Sequence, residues 1–330
     1  MAGSIKEVAK RAGVSIATVS RVLNGTCAVT KEKEASVREA LSYFDYEPNQ
    51  AGRALVKGTN DLVGVYSSYS DVELFQSHYL MECLRGINSV IQTTQNSMVL
   101  LDERDPGYAQ EGWEPRFTSF VKQRRIDSLI VLSLRQNDRT EERLESIASQ
   151  GFLVGYIGKR FTEKCCNVYG CLEEYMGEGI DKLYEKGHRK IALYVVRERN
   201  RYMPDITGDA MKRHEDLEIV VLDTSEAGVG LTEQTVSLLG SGVTAFFAED
   251  LDFIAQLQIC LFQMGMLDKV SFQSIEHAKG QGENMLRPVN CYFVPAYVMG
   301  KTVASLLFSG SKAEERFYPE YFDRGSVGKI

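Results

Sequence analysis

The chain has 330 residues, 44% of them hydrophobic and 25% charged, which is ordinary for a soluble globular protein with more than one domain. It has no apolar leader and no run of about 18 apolar residues, which argues against a secreted or membrane-spanning protein and predicts a cytoplasmic one. The formal net charge is −7, but residues 1–60 carry +3 (9 Lys and Arg against 6 Asp and Glu) and the rest −10 (29 against 39), a division typical of a small nucleic-acid-binding head on an acidic body.

The first 24 residues predict two short helices joined by a tight turn. Ser4 is a favourable N-cap, and Glu7 stands where a capping box needs an acid. Gly13 is placed to close the first helix in the left-handed conformation, and Ser15 to begin the second helix as its N-cap. Apolar residues at helical spacing form one face of each helix: Ile5, Val8, Ala9 and Ala12 in the first, and Val14, Val19, Val22 and Leu23 in the second.

The other face of the second helix carries small uncharged groups and one arginine: Ile16, Ala17, Thr18, Ser20 and Arg21. A helix pressed against DNA needs hydroxyls for phosphates, small apolar groups for thymine methyls and arginine for guanine. We therefore predict that this helix enters the major groove. A third helix, from Thr30 as N-cap to about Phe44, is expected to close a three-helix core with the first two.

The segment after these helices predicts a hinge. Pro48 blocks continuation of the third helix, and residues 49–57 predict a short helix of mainly small residues. A helix of nine residues that contains Gly52 is marginal in water, so we expect it to become ordered only on a partner. A plain interdomain linker is the alternative, and Gly58-Thr59-Asn60 is typical of one.

From residue 61 onward, short apolar strands alternate with amphipathic helices, which predicts βαβ units and parallel sheets. The first series has strands at 62–66, 97–101, 126–132 and 152–157, and helices at 79–93, 113–124 and 141–150. The second series has helices at 172–186, 232–239 and 253–264, strands at 191–196, 217–222, 245–248 and 270–275, and a last helix at 295–308. Two such lobes would form a clamshell with its cleft at the carboxyl ends of the strands.

Three stretches resemble the lactose/galactose-repressor (LacI/GalR) family of bacterial transcription regulators. The densest runs from Ala9 to Asn24 and matches A-x-x-A-G-V-S-x-x-T-V-S-R-V-L-N. The second combines Tyr46-Glu47-Pro48-Asn49 with Ala51-Gly52-Arg53-Ala54-Leu55, and the third, residues 185–192, is similar to the family's E-x-G-H-R-x-I-A segment. The resemblance is dense over residues 4–60 and looser beyond them.

The resemblance implies an α/β fold with a three-helix helix-turn-helix head at residues 1–47 and a hinge helix and linker at 48–60. An effector-binding and dimerisation core at 61–330 would follow, built as two tandem Rossmann-like lobes of the periplasmic-binding-protein type. Lobe 1 is expected at about 61–160 and 291–318. Lobe 2 is expected at about 161–290 together with the C-terminal end.

The resemblance also implies a nucleoid-associated regulator, most often a repressor, that binds double-stranded operator DNA of palindromic sequence as a homodimer. The expected base contacts are Ile16, Ala17, Arg21 and, as a wedge in the minor groove, Leu55. The expected phosphate contacts are Ser4, Ser15, Thr18, Ser20, Asn24 and Thr30. The expected hinge residues are Asn49, Ala51, Gly52 and Arg53.

The cleft is where this sequence departs most from the family, because most of the usual polar contacts to effectors are replaced. Asp250 is the best remaining anchor, and the further candidates are Tyr79, Arg160, Arg201, Glu276 and Phe293. The implied effector is a sugar or sugar derivative. The alternatives are another effector or none, or a solute-binding or sugar-handling protein with the same two lobes. No enzyme, cofactor or metal site is expected, because the sequence lacks catalytic, nucleotide-binding and zinc motifs.

Overall fold

The computed structural model of the chain describes residues 4–24, 29–46, 59–68, 75–102, 112–133, 138–195, 203–224 and 230–330. The chain divides into two compact units, Met1–Asn60 and Asp61–Ile330. Every helix in these ranges is too short or too polar to traverse a lipid bilayer. Six of the predicted site residues lie outside the described ranges: Asn49, Ala51, Gly52, Arg53, Leu55 and Arg201.

The head contains the three predicted helices, α1 (Ile5–Ala12), α2 (Ile16–Asn24) and α3 (Lys31–Phe44). All three helices contribute to one small apolar core, in which Val8, Val19 and Val37 are fully buried. α1 begins with the predicted capping box at Ser4 and ends at Gly13, whose φ of 64° is left-handed. The helix bounds therefore follow from short-range signals in the sequence.

Twelve strands in the described part of the chain form two six-stranded sheets. In chain order they are β1 (Leu62–Ser67), β2 (Ser97–Asp102), β3 (Ser128–Ser133), β4 (Leu153–Ile157), β5 (Cys166–Tyr169), β6 (Lys190–Val195), β7 (Glu218–Asp223), β8 (Ala245–Ala248), β9 (Ser271–Glu276), β10 (Asn290–Phe293), β11 (Glu314–Arg316) and β12 (Glu320–Phe322). The first sheet has the order β11-β5-β4-β3-β1-β2 and is parallel throughout. The second has the order β12-β10-β9-β8-β6-β7, and only β12 is antiparallel. The predicted α/β fold with two parallel-sheet lobes is confirmed.

Eight α-helices of this second unit lie wholly within the ranges described. They are α4 (His78–Ile91), α5 (Arg116–Lys122), α6 (Asp138–Ser149), α7 (Leu172–Glu185), α8 (Met203–Arg213), α9 (Leu231–Gly240), α10 (Leu251–Gln263) and α11 (Ala296–Ser309). α5 is shorter than the predicted helix at 113–124, because Pro115 precedes it and Arg124 adopts a left-handed φ of 52°. The alternating pattern also missed α8, which contains Pro204 and Gly208, and the short strands β5, β10, β11 and β12.

The chain passes between the two sheets after β5, after β10 and after β11. Two of these crossings differ from the predicted lobe boundaries at 160/161 and 290/291. Residues 166–169 belong to the first sheet because β5 pairs with β4, and residues 290–293 belong to the second sheet because β10 pairs with β9. Each of these strands contains a buried asparagine, Asn167 or Asn290, which interrupts the apolar run that predicts a buried strand.

The last helix, α11, returns to the first lobe and packs directly against α4. A methyl group added at Gly86 would lie 2.0 Å from the carbonyl oxygen of Tyr297, and one at Gly300 would lie 2.1 Å from the carbonyl oxygen of Cys83. The two helix backbones therefore touch through a glycine on each side. This contact holds α4 in place, and the first turn of α4 contacts the second lobe.

Candidate nucleic-acid interface and interlobe cleft

The turn between α1 and α2 fixes the angle between these two helices. Gly13 donates its N–H to the carbonyl oxygens of Ala9 and Lys10, and Val14 donates to the carbonyl oxygen of Ala9 at 3.1 Å. The left-handed conformation favours glycine at this position, since a residue with a Cβ is strained there. Two short helices joined by such a turn have the geometry of helix-turn-helix proteins, in which the second helix enters the major groove.

The outward side of α2 is formed by the three residues on this helix that were predicted to contact bases. Ile16 is 44% exposed, and Ala17 and Arg21 are also exposed. Val19 points the other way and is fully buried in the core of the head. α2 therefore presents apolar groups that suit thymine methyls next to a guanidinium that can donate two hydrogen bonds to guanine.

Three of the predicted phosphate contacts stand at the N-terminal ends of the three helices. The hydroxyl and the backbone N–H of Ser4 donate to the Glu7 carboxylate at 2.8 and 2.7 Å, and the Ser15 hydroxyl accepts from the Thr18 N–H at 3.2 Å. Thr30 is exposed, and its side chain makes no capping hydrogen bond. Helix N-termini attract anions because their N–H groups lack partners within the helix and lie at the positive end of its dipole. The positions of Ser15 and Thr30 therefore suit phosphate, whereas the donors of Ser4 are used by the Glu7 carboxylate.

The other predicted phosphate contacts lie on α2 itself. Thr18 and Ser20 are partly exposed, and Asn24 is the last residue of the helix. The Thr18 hydroxyl lies 3.0 Å from the Ser15 hydroxyl, so the two form one polar pair at the start of α2. The structure thus brings the Thr18 and Ser20 side chains and the three predicted base contacts onto a single helix.

A contact between α1 and α3 was missed by the sequence analysis. The guanidinium of Arg11 lies 3.4 Å from the ring centroid of Tyr43, at the C-terminal ends of the two helices. A cation over an aromatic ring at this distance stabilises the packing of the two helices. Its partners are too far apart in sequence for a local signal to reveal the pair.

Asp250, the predicted effector anchor, follows β8 and is the N-cap of α10. Its carboxylate accepts a hydrogen bond from the N–H of Asp252 at 2.9 Å. Desolvation by the surrounding protein raises the pKa of the Asp250 carboxyl, while the Asp252 N–H and the nearby His78 act in the opposite direction. Asp250 thus lies at the carboxyl end of a central strand, with part of its hydrogen-bonding capacity used by the helix.

Two contacts join the first turn of α4 to the second lobe. The ring centroids of Tyr79 and His277 are 5.0 Å apart, with the rings tilted by 55°. Nε2 of His78 lies 3.5 Å from a carboxylate oxygen of Asp252. Tyr79 was predicted to line the cleft, and it bridges the two lobes. The other three residues were missed, and the only signal for them was their position near the ends of predicted strands and helices.

Glu276, also predicted as an effector contact, belongs to a buried ion pair. It is fully buried at the end of β9, and one of its carboxylate oxygens lies 3.0 Å from Nη2 of Arg324, whose side chain is 9% exposed. The N–H groups of Gly280 and Gly282 donate to the same carboxylate at 3.4 and 3.0 Å. Burial alone would lower the pKa of Arg324, but the hydrogen bond to Glu276 and its charge outweigh burial and raise that pKa. The Glu276 carboxylate is therefore used within the second lobe.

Arg160 lies away from the cleft, contrary to the prediction. Its guanidinium donates to the carbonyl oxygens of Thr162 and Lys312, each at 3.3 Å, and lies 3.6 Å from the carboxylate of Glu314. Glu314 begins β11, so these contacts stand at the amino ends of strands, whereas the cleft of such a fold lies at the carboxyl ends. Phe293, by contrast, is the last residue of β10 and is partly buried at the carboxyl edge.

Comparison with known proteins identifies relatives of the head and of much of the chain. Residues 4–49 match the family profile described as bacterial regulatory proteins, lacI family. The chain is 29% identical to the HTH-type transcriptional repressor PurR of Pectobacterium atrosepticum, over 60% of this chain and 55% of that protein. It is 25% identical to the HTH-type transcriptional regulator CelR of Thermobifida fusca, over 78% and 76% of the two chains. The match to PurR thus spans little more than half of that protein.

Solved structures share the fold over almost the entire chain. The lac repressor dimer bound to operator and the anti-inducer ONPF matches with a TM-score of 0.79 and 17% identity, over 99% of this chain and 100% of that one. The CelR–cellobiose complex matches with a TM-score of 0.65 and 21% identity, over 98% and 99%. At these identities the likeness shows the fold.

Proposed function

The chain belongs to the lacI family of bacterial regulatory proteins, and on that basis we propose that it is a sequence-specific DNA-binding transcription regulator, acting as a repressor. The relatives that it matches carry the names of transcriptional repressors and regulators, which supports a regulator rather than an enzyme. The observation that carries the proposal is the exposed side of α2, because apolar groups and an arginine stand there on a helix that begins directly after a glycine turn.

In the proposed complex, α2 lies in the major groove with Ile16, Ala17 and Arg21 against base edges. The hydroxyl and amide groups at the helix ends and along α2 then position phosphates: Ser4, Ser15, Thr18, Ser20, Asn24 and Thr30. Two heads would contact the two halves of a palindromic operator in successive major grooves. By resemblance to the family, we also propose that Leu55 wedges a central base step from the minor groove, supported by the hinge residues Asn49, Ala51, Gly52 and Arg53.

A homodimer is supported by the outward face of α10. Ile259 and Phe262 are one turn apart and 49% and 63% exposed, and Val236 on α9 is 52% exposed. Sγ of Cys260 lies 3.6 Å from Oγ1 of Thr232, which places α9 and α10 side by side. Asp252 is the one charged residue of α10, although the exposed faces of helices usually carry several charged residues. We propose that a second copy of the chain covers these apolar side chains.

We propose that a small effector between the lobes modulates operator binding. Asp250, Tyr79 and Phe293 remain the candidate contacts, together with Arg201, which lies outside the described residues. Glu276 and Arg160 are engaged elsewhere. A sugar site needs several directional partners, because each unpaired buried polar group is costly. The solved structure of a CelR–cellobiose complex shares the fold, which supports a sugar or sugar derivative as the class of effector to test first. A coupling of about 1–3 kcal/mol between effector and operator is typical of such regulators.

The experiment is selection of operators from random duplex DNA with the full chain, followed by affinity measurements on single-base variants of the selected site. Arg21→Ala is compared with Arg38→Ala, a matched control, because Arg38 is also exposed in the head but lies on α3 and pairs with Glu34 at 2.7 Å. We expect Arg21→Ala to weaken binding by about 1–3 kcal/mol and to relax the preference at one base position. Arg38→Ala should retain that preference.

Two results would contradict the proposal. If Arg21→Ala weakened all operator variants equally, Arg21 would contact phosphate and its assignment to a base would be wrong. If selection produced no common palindrome, the proposed operator recognition would fail altogether.

A further inference from the structure

Two of the four histidines of the chain take part in contacts between the lobes. His78 begins α4 in the first lobe, and its Nε2 lies 3.5 Å from the carboxylate of Asp252 in the first turn of α10 in the second lobe. The neighbouring Tyr79 stacks at a tilt against His277, which follows β9. The first turn of α4 thus touches the second lobe at two separate points.

The carboxylates near His78 lie on α10 and on α4 itself. α10 presents Asp252 and also Asp250, whose pKa is influenced by the charge of His78. On α4 itself, Glu82 is one turn further on and is paired with Arg85. The positive end of the α4 dipole lies at the same turn, where it repels an imidazolium and attracts the carboxylates of α10.

At the second contact point, the charged residues next to His277 in sequence are paired with opposite charges. His277 faces the Tyr79 ring, and its backbone N–H donates to Oε1 of Gln281 at 2.9 Å. Lys279, two residues on, lies 3.2 Å from the carboxylate of Glu320 and is neutralised there. Glu276, the residue before His277, is neutralised by Arg324. Of these two contacts, that of His78 with Asp252 places an imidazole directly beside a carboxylate of the other lobe.

We propose that the first turn of α4 is a pH-sensitive clasp between the lobes, in which protonated His78 pairs with Asp252 and favours the closed arrangement. When His78 loses its proton, the ion pair is lost and the Tyr79–His277 contact remains. The clasp is a property of the two-lobed unit and does not depend on DNA binding or on any effector. Both side chains of the pair are more than half exposed, at 59% and 64%, so the effect on the ratio of closed to open molecules is modest, about 1.5- to 5-fold.

The experiment measures the distance between the lobes in the full chain by single-molecule energy transfer. Donor and acceptor dyes are attached through non-natural amino acids at Leu153 in the first lobe and Met211 in the second, which are 43% and 40% exposed. The ratio of closed to open molecules is determined at pH 8.0 and 5.5, on either side of the ordinary pKa of histidine of about 6.5. No ligand or DNA is added.

Three variants are compared with the original chain. His78→Gln and Asp252→Asn each remove one partner of the clasp. His214→Gln is the matched control, because His214 also pairs with an aspartate, Asp181, at 2.8 Å but within the second lobe.

We expect the closed fraction of the original chain to rise at pH 5.5, with the closed-to-open ratio increasing about 1.5- to 5-fold. His78→Gln and Asp252→Asn should each reduce that increase to less than half, and His214→Gln should preserve it. An original chain with the same ratio at both pH values would overturn the proposal. So would an increase that persists undiminished in His78→Gln, since the titrating group would then be another residue.

Discussion

Replacing Arg324 by methionine tests the buried ion pair at the end of β9. The variant keeps most of the length of the side chain but removes the guanidinium that lies 3.0 Å from Glu276 and that also donates to the Val289 carbonyl oxygen at 3.0 Å. The Glu276 carboxyl would remain at 0% exposure, with only the Gly280 and Gly282 N–H groups as described donors. Breaking a buried pair from one side costs about 3–5 kcal/mol. Because two donors remain, we expect the free energy of unfolding to fall by about 3 kcal/mol.

The measurement is equilibrium unfolding in urea, followed by circular dichroism. Arg316→Met is the control, since Arg316 pairs with Glu314 at 3.2 Å with its own side chain 51% exposed, and its loss should leave the free energy of unfolding nearly unchanged. Adding Glu276→Gln to Arg324→Met removes the buried charge and should recover part of the lost stability. An Arg324→Met variant as stable as the original chain would refute the reasoning, and so would a double variant less stable than Arg324→Met alone.

Three further predictions concern other parts of the molecule. Gly300→Ala should lower the free energy of unfolding by about 1–3 kcal/mol, because its methyl group would lie 2.1 Å from a carbonyl oxygen of α4. The control Gly208→Ala has open space around it and should be neutral or stabilising. Equal effects of the two substitutions in urea unfolding would contradict the close packing of α4 and α11. Phe262→Glu should convert the proposed dimer to monomer in light scattering, and a dimer of unchanged stability would place the interface elsewhere. The backbone and side-chain hydrogen bonds of Ser4 lower the pKa of Glu7. Their contribution to stability is therefore present above the ordinary pKa of glutamate and is lost as the pH falls through the lowered pKa of Glu7. Carboxyl NMR should show that Ser4→Ala raises the pKa of Glu7, and an unchanged pKa would contradict the capping box.

The head could be predicted from the sequence because its determinants are local. Ser4 and Glu7 are three residues apart at the start of α1, and Gly13 supplies the left-handed turn at the end of the same helix. The same helical spacing that buries Val19 turns Arg21 outward, so the candidate base-reading side follows from the core. Each of these relations lies within one or two helical turns.

The contacts of the residues predicted to line the cleft could not be derived in the same way, because their hydrogen-bond and ion-pair partners are distant in sequence. Arg324 is 48 residues from Glu276, and Arg160 is 152 residues from Lys312. A carboxylate at the end of a strand has the same sequence context whether it binds a ligand or an arginine from the C-terminal segment. Asp250 shows a related ambiguity, since an aspartate directly before a helix is also a favourable N-cap.

The proposal of a DNA-binding regulator is tested most directly by comparing the affinity of the full chain for its best selected palindrome with its affinity for random duplex DNA at moderate salt. We expect the palindrome to bind at least about 1,000-fold more tightly, with two chains on each duplex. A folded chain that binds the selected palindrome and random duplex with equal affinity would contradict the proposal.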